Sequence, residues 1–216
     1  MQVDARHLWG LDYVVRKPRR VPGEPLAPVL CFLHGHDEGA PTPLEEGMAR
    51  HGPLHVEAPE GVERFLVIAP QLPRRGDHWV RYADRVLEIV AAESEAQDGD
   101  PLRTYVTGFS FGGNGALDLA ALQPKAWAAA WAVDPTRVPV PAIHIPLWVS
   151  LGDASRDARR LFIHRLALVD AGTGPTGDRI YDDRGLDHVA TARAAYGDTR
   201  TYGWLLARSR VVAEPL

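Results

Sequence analysis

Short apolar runs alternate along this chain with longer stretches of helical period. The runs, rich in Val, Ile, Tyr and Trp, predict strands at Leu11 to Arg16, Val29 to His34, Phe65 to Ala69, Thr104 to Gly108, Trp127 to Val133, Leu147 to Leu151 and Arg179 to Tyr181. Several are apolar almost throughout, as strands covered on both faces of a parallel sheet are. The longer stretches predict helices over Pro43 to Arg50, Trp79 to Ala96, Asn114 to Leu122, Arg156 to Val169 and Thr199 to Arg208. In the second of these, Val80, Ala83, Leu87, Val90 and Ala91 share one face and predict the stripe that packs on a sheet. Strand and helix in alternation predict an α/β fold, a mostly parallel central sheet with helices on both faces. Breakers separate the elements: Pro-Arg-Arg-Val-Pro-Gly near residue 20, Gln-Asp-Gly-Asp-Pro at 97–101, and a proline-rich loop from Pro135 to Pro146. None is a long linker, so residues 1–216 are expected to form a single domain without a separate lid. Any cover over a site then comes from loops such as the one after Asp134.

Composition narrows the possible partners. The chain is 45% hydrophobic and 24% charged, with a formal charge of -4 and no basic stripe interleaved with aromatics, which argues against a nucleic-acid partner. No run approaches the roughly 18 apolar residues of a membrane span, and MQVDARHLWGLDYVV lacks an apolar signal core behind a basic start. The expectation is a soluble cytoplasmic protein with no membrane partner. Arginine outnumbers lysine 22 to 2, a bias with no functional reading. The single cysteine, Cys31 in PVLCFLH, reads as a small buried hydrophobe.

The chemistry gathers at Gly108-Phe109-Ser110-Phe111-Gly112, a G-x-S-x-G pentapeptide directly after a strand signal and directly before a helix. A hydroxyl raised on a sharp strand-to-helix turn crowds the backbone, which leaves room only for glycine two residues either side. The turn also sets Phe111 at a helix start, where its N–H can face a developing oxyanion. A serine hydroxyl needs a base, and the base needs a carboxylate to orient it. Of the histidines downstream, His164 sits inside a helical pattern and His144 precedes a strand at the wrong end. His188, in Asp-Asp-Arg-Gly-Leu-Asp-His-Val, follows the last strand on a loop and is the expected base. For the acid, Trp148-Val-Ser-Leu-Gly-Asp-Ala-Ser-Arg-Asp offers Asp153 and Asp157. Asp153 is favoured as nearer the strand end, and Asp157 is kept as the alternative, with a capping role open to it. A second glycine turn, Cys-Phe-Leu-His-Gly-His-Asp, lets the His36 N–H join that of Phe111 as an oxyanion donor.

Three competing signals are weaker. His34, His36 and Asp37 have a spacing that metal ligands use, but Glu38 and Gly39 stand where the metallo-hydrolase pattern needs Asp and His, so no metal or other cofactor is expected. Gly172-Thr-Gly-Pro-Thr-Gly177 matches a dinucleotide fingerprint, yet it follows a helix and precedes a strand, the reverse of the required order. Trp79 and His36 are candidate walls of an acyl pocket, with core packing the competing role for Trp79.

The segments VLCFLHGHDEGA, FLVIAPQLPRRGDHW, RTYVTGFSFGGNGALDLAALQPKAWAAAWAV, IPLWVSLGD and GLDHVATARAAYGDTRTYGWLL resemble compact esterases and predicted peptidases of the α/β-hydrolase superfamily related to polyhydroxybutyrate depolymerase and phospholipase/carboxylesterase. The likeness runs from about Val29 to Leu206. It implies a serine hydrolase that cleaves a carboxylic ester of a small or medium substrate, with Ser110 as nucleophile, His188 as base and His34-Gly35-His36 as the oxyanion turn. It also implies an acid three residues past the glycine, where this chain has Ser155, and often Met where this chain has Phe111. The irregular acid leaves a catalytically weak binding protein as the alternative, and peptidase or thioesterase chemistry remains open on the same three residues.

Overall fold

The computed structural model describes residues 3–20, 22–55, 59–172 and 176–210. Nine strands form one sheet: β1 (Asp4–Leu8), β2 (Leu11–Arg16), β3 (Ala27–Leu33), β4 (Leu66–Pro70), β5 (Gly99–Phe109), β6 (Ala129–Val133), β7 (Leu147–Leu151), β8 (Val169–Asp170) and β9 (Arg179–Asp183). Their spatial order is β1-β2-β4-β3-β5-β6-β7-β9-β8, antiparallel where β2 meets β1 and β4 and parallel from β4 onward. The expected mostly parallel α/β sheet is therefore present.

Among the described residues seven α-helices cover it: α1 (Leu44–Arg50), α2 (Ala83–Ala96), α3 (Phe111–Leu122), α4 (Asp153–Arg156), α5 (Arg159–Leu166), α6 (His188–Tyr196) and α7 (Thr199–Leu206). Alternate strand residues supply two cores. Leu66 and Ile68 of β4 pack with Val86 and Ile89 of α2, Leu117 of α3 and Phe162 of α5. Val67 and Ala69 of the same strand pack with Met48 of α1, Ala192 of α6 and Trp204 of α7. This is period-2 alternation with apolar side chains on both faces, the condition that produces unbroken apolar runs in sequence.

The differences from the sequence reading have local causes. The stretch Trp79 to Ala96 opens as a 3-10 turn over Trp79–Tyr82 before α2 begins. The buried stripe of α2 is Ala83, Val86, Ile89, Val90 and Glu93, while Val80 is exposed. Glu93 earns its buried place because Arg6 grips both its oxygens, at 2.8 and 2.6 Å, and the Tyr13 hydroxyl donates to it at 2.8 Å. Those contacts tie α2 to the β1–β2 hairpin. Strand β1 carries no apolar run, because its exposure alternates along DARHL, and it is set by its pairing with β2 across the Trp9-Gly10 turn. Of the Gly172–Gly177 fingerprint, residues 173–175 lie outside the described residues. Among the described residues no helix is long and apolar enough to cross a membrane.

Candidate active site

Strand β5 ends in the elbow that its glycines require. Ser110 takes φ 58° and ψ -116°, a left-handed conformation that costs a non-glycine residue about 1–3 kcal/mol. Two contacts show why no side chain fits beside it. A Cβ on Gly108 would stand 2.1 Å from the Gly112 carbonyl oxygen, and one on Gly112 would stand 1.8 Å from that of Leu33. The Ser110 N–H donates to the Val133 carbonyl at 2.9 Å, so the elbow is bonded to the end of β6. Helix α3 begins at the next residue, and its first N–H, that of Phe111, has no intrahelical acceptor to use.

The residue after Val133 is Asp134, and it departs from the sequence reading. His188 Nδ1 donates to Asp134 Oδ2 at 2.6 Å. Neither Asp153 nor Asp157 occupies that position. Asp153 is the first residue of α4, half-exposed, and pairs with Arg156. Asp157 stands past the last turn of the same helix, exposed. The loop that carries Asp153 still serves the carboxylate, through its backbone. Asp134 Oδ1 accepts from the N–H groups of Gly152 at 2.9 Å and Ser155 at 3.0 Å and from the Ser155 hydroxyl at 2.6 Å, while Oδ2 accepts from the Ala154 N–H at 3.1 Å. A Cβ on Gly152 would lie 2.7 Å from Oδ2, so glycine alone lets the loop wrap so closely. Asp134 is fully buried. Burial alone would raise its pKa, but the hydrogen bonds from His188, Ser155 and Ala154 outweigh it and hold the carboxyl below the ordinary 3.8.

His188 is the first residue of α6 rather than a loop residue. Asp187 caps the helix by accepting the Ala190 N–H at 2.8 Å. The imidazole lies against the ring of Phe109, centroids 4.5 Å apart, so it is seated beside the residue that precedes Ser110. Ser110 and His188 thus share the carboxyl edge of the sheet, with Asp134 behind the imidazole.

The second glycine turn reaches the same place. A Cβ on Gly35 would lie 3.5 Å from Ser110 Cβ and 2.8 Å from Glu38 Oε2. His36 follows, its ring edge-on to Phe111 at 5.1 Å, so the two expected oxyanion residues touch. The His36 side chain is half-exposed, with Nδ1 on Asp37 Oδ1 at 2.8 Å. His78 stacks on Phe111 with ring centroids 6.2 Å apart. Trp79 is buried in the core and donates to the His34 carbonyl at 3.1 Å, so it is a packing residue. Among the described residues no three His, Cys, Asp or Glu side chains converge as a metal would require, and both ring nitrogens of His34 are engaged by backbone groups.

Asp134 is not among the residues that the sequence pattern singles out, although it carries a signal, an Asp directly after the apolar run Ala129–Val133 and before Pro135. Asp134 follows the end of β6 and Asp153 the end of β7, and only the sheet order tells which of the two faces the imidazole.

No protein-family model matches the chain, and none of the curated proteins resembles it in sequence. Solved structures do match in fold. A thermostable esterase aligns with 21% identity and a TM-score of 0.73 over 96% of this chain, which spans 63% of that protein's length. A ferulic acid esterase aligns with 15% identity and a TM-score of 0.67, covering 94% of this chain and 98% of the other. A fluorophosphonate-binding serine hydrolase of Staphylococcus aureus, solved with substrate bound, aligns with 15% identity and a TM-score of 0.64, covering 95% and 97%. The chain has the fold of these α/β-hydrolase-type enzymes.

Proposed function

We propose that the chain is a serine hydrolase that cleaves carboxylic esters of small or medium acyl substrates through a covalent acyl-enzyme. Ser110 Oγ attacks the carbonyl carbon while His188 Nε2 takes its proton. The backbone N–H groups of Phe111 and His36 receive the developing oxyanion. His188 then returns the proton to the leaving alkoxide, activates a water for the second attack, and protonates Ser110 as the acid departs. Asp134 holds Nδ1–H, which keeps Nε2 free as the base and stabilises the imidazolium that forms. The resemblance places the acid past Gly152; this reading places it at the end of β6.

The observation that carries the reading is the 2.6 Å hydrogen bond between a fully buried carboxylate and His188, whose ring packs on Phe109, the residue before the serine of a strained elbow. The alternative of a catalytically weak binding protein rested on the irregular position of the acid, and the Asp134 carboxylate on His188 Nδ1 supports the enzyme reading over it. The esterase and serine-hydrolase neighbours share the fold, and their activities lend the reading support by analogy. The test is labelling by a fluorophosphonate probe together with turnover of a short-chain p-nitrophenyl ester. Wild type is expected to do both and Ser110→Ala neither. Labelling that persists in Ser110→Ala overturns the assignment.

A further inference from the structure

Beneath the glycine turn lies a histidine that the proposed reaction does not use. His34 is fully buried just past the end of β3, edge-on to Trp79 with ring centroids 4.9 Å apart. Its two nitrogens meet partners of fixed sense. The Gly35 carbonyl, 2.6 Å from Nδ1, only accepts, and the Leu72 backbone N–H, 2.9 Å from Nε2, only donates. The ring is therefore neutral with its proton on Nδ1. Burial favours the same state, since it pushes the imidazole pKa down to about 4.

The Gly35 carbonyl and the His36 N–H belong to one peptide unit. That unit is trans, because the cis bond among the described residues is Ala40-Pro41, so the two groups point in opposite directions. Fixing the carbonyl onto Nδ1 fixes the N–H on the opposite side. A hydrogen bond at the amide oxygen also polarises the unit toward stronger donation. The next peptide unit is pinned as well, by the Gly76 N–H on the His36 carbonyl at 3.3 Å. Among the described residues the His36 N–H itself has no protein acceptor.

We infer that His34, as a neutral Nδ1–H donor to the Gly35 carbonyl, aims the His36 N–H at the oxyanion and is a positioning residue for acyl transfer. The inference rests on the hydrolase reading given above. Its consequence falls on the transition state, because ground-state substrate carries no oxyanion for the aimed N–H to meet.

Two conservative variants separate the ring's two bonds. In His34→Asn the side-chain amide reaches the Nδ1 position and can keep the donation to Gly35. In His34→Gln it reaches the Nε2 position and keeps only the Leu72 partner. Loss of an oxyanion donor outright costs about 10²–10³ in kcat, so misaiming one in His34→Gln is expected to cost about 10- to 100-fold. KM should stay within about twofold, and affinity for a boronic acid analogue of the tetrahedral intermediate should fall by the same factor as kcat. His34→Asn should stay within about threefold of wild type on each measure. Equal losses in the two variants, or unchanged boronate affinity in His34→Gln, would refute the inference. Should neither variant fold, ring nitrogen shifts of ¹⁵N-histidine-labelled wild type decide: a proton on Nδ1 of His34 upholds it and a proton on Nε2 overturns it. Wild-type ester turnover is measured first. Its absence would defeat the hydrolase reading and this inference with it, whereas turnover with equal variant losses defeats the inference alone.

Discussion

Asp134→Asn is the substitution with the most definite outcome. Every group that touches this carboxylate is a donor: Gly152 N–H, Ser155 N–H and Ser155 hydroxyl on one oxygen, Ala154 N–H and His188 Nδ1–H on the other. Asparagine supplies one acceptor oxygen and one NH₂. Three donors hold the oxygen toward the Gly152 loop, so the NH₂ faces Ala154 and His188. His188 can then only accept at Nδ1, its proton moves to Nε2, and the nitrogen meant for Ser110 is blocked. A wrong-tautomer histidine of this kind lowers kcat by about 10⁴, or roughly 5.5 kcal/mol at 1.36 kcal/mol per decade. The Ala154 N–H loses its acceptor inside the protein, which costs about 1–3 kcal/mol of stability and lowers Tm by about 2–12 °C. The assay is p-nitrophenolate release at mildly alkaline pH, with thermal unfolding followed in parallel. Asp153→Asn removes only a half-exposed pair with Arg156 and should stay within about twofold of wild type, as should Asp157→Asn. Retention of more than about a tenth of wild-type kcat by Asp134→Asn, or an equal loss in Asp153→Asn, refutes the placement of the acid.

Other perturbations test the surroundings of the site. His34 has its pKa lowered to about 4 from 6.5 by burial, so between those values the unfolded chain binds a proton that the folded one refuses. Stability should therefore fall as pH drops from 6.5 to 4, by about 3 kcal/mol from this group, and urea unfolding across that range should show a slope that flattens in His34→Asn. Asp134 acts in another window: its folded pKa lies below 3.8, so its stabilisation is complete above that value and is lost only on further acidification. Gly112→Ala would drive a Cβ to 1.8 Å from the Leu33 carbonyl oxygen, and soluble, cooperatively unfolding protein should not be recovered. Gly203→Ala lies on the exposed side of α7 with nothing within 4 Å of its Cβ, so Tm should rise by about 2–4 °C for a gain near 1 kcal/mol, with ester turnover unchanged.

Much of the scaffold follows from the sequence, because its causes are local. Strands covered on both faces need near-unbroken apolar runs, which is why β7 begins and ends where the pattern predicts. The Ser110 elbow is legible because two glycines are the only residues that its crowded backbone accepts. The hairpin strand β1 and the entry into α6 are not legible, since their signals are a pairing partner and an Asp187 cap rather than an apolar period.

The carboxylate partner of His188 was decided by tertiary structure alone. Asp134 follows the apolar run of β6 directly and Asp153 follows that of β7 after Gly152, and neither segment by itself says which carboxylate meets the imidazole. Sheet order does so. Strand β6 lies directly beside β5, which puts Asp134 next to the elbow, while the loop after β7 folds over it and turns its N–H groups, not its side chain, toward the site. A hydrogen bond between residues 54 positions apart is a property of which strands are neighbours, and that is settled only when the whole sheet packs.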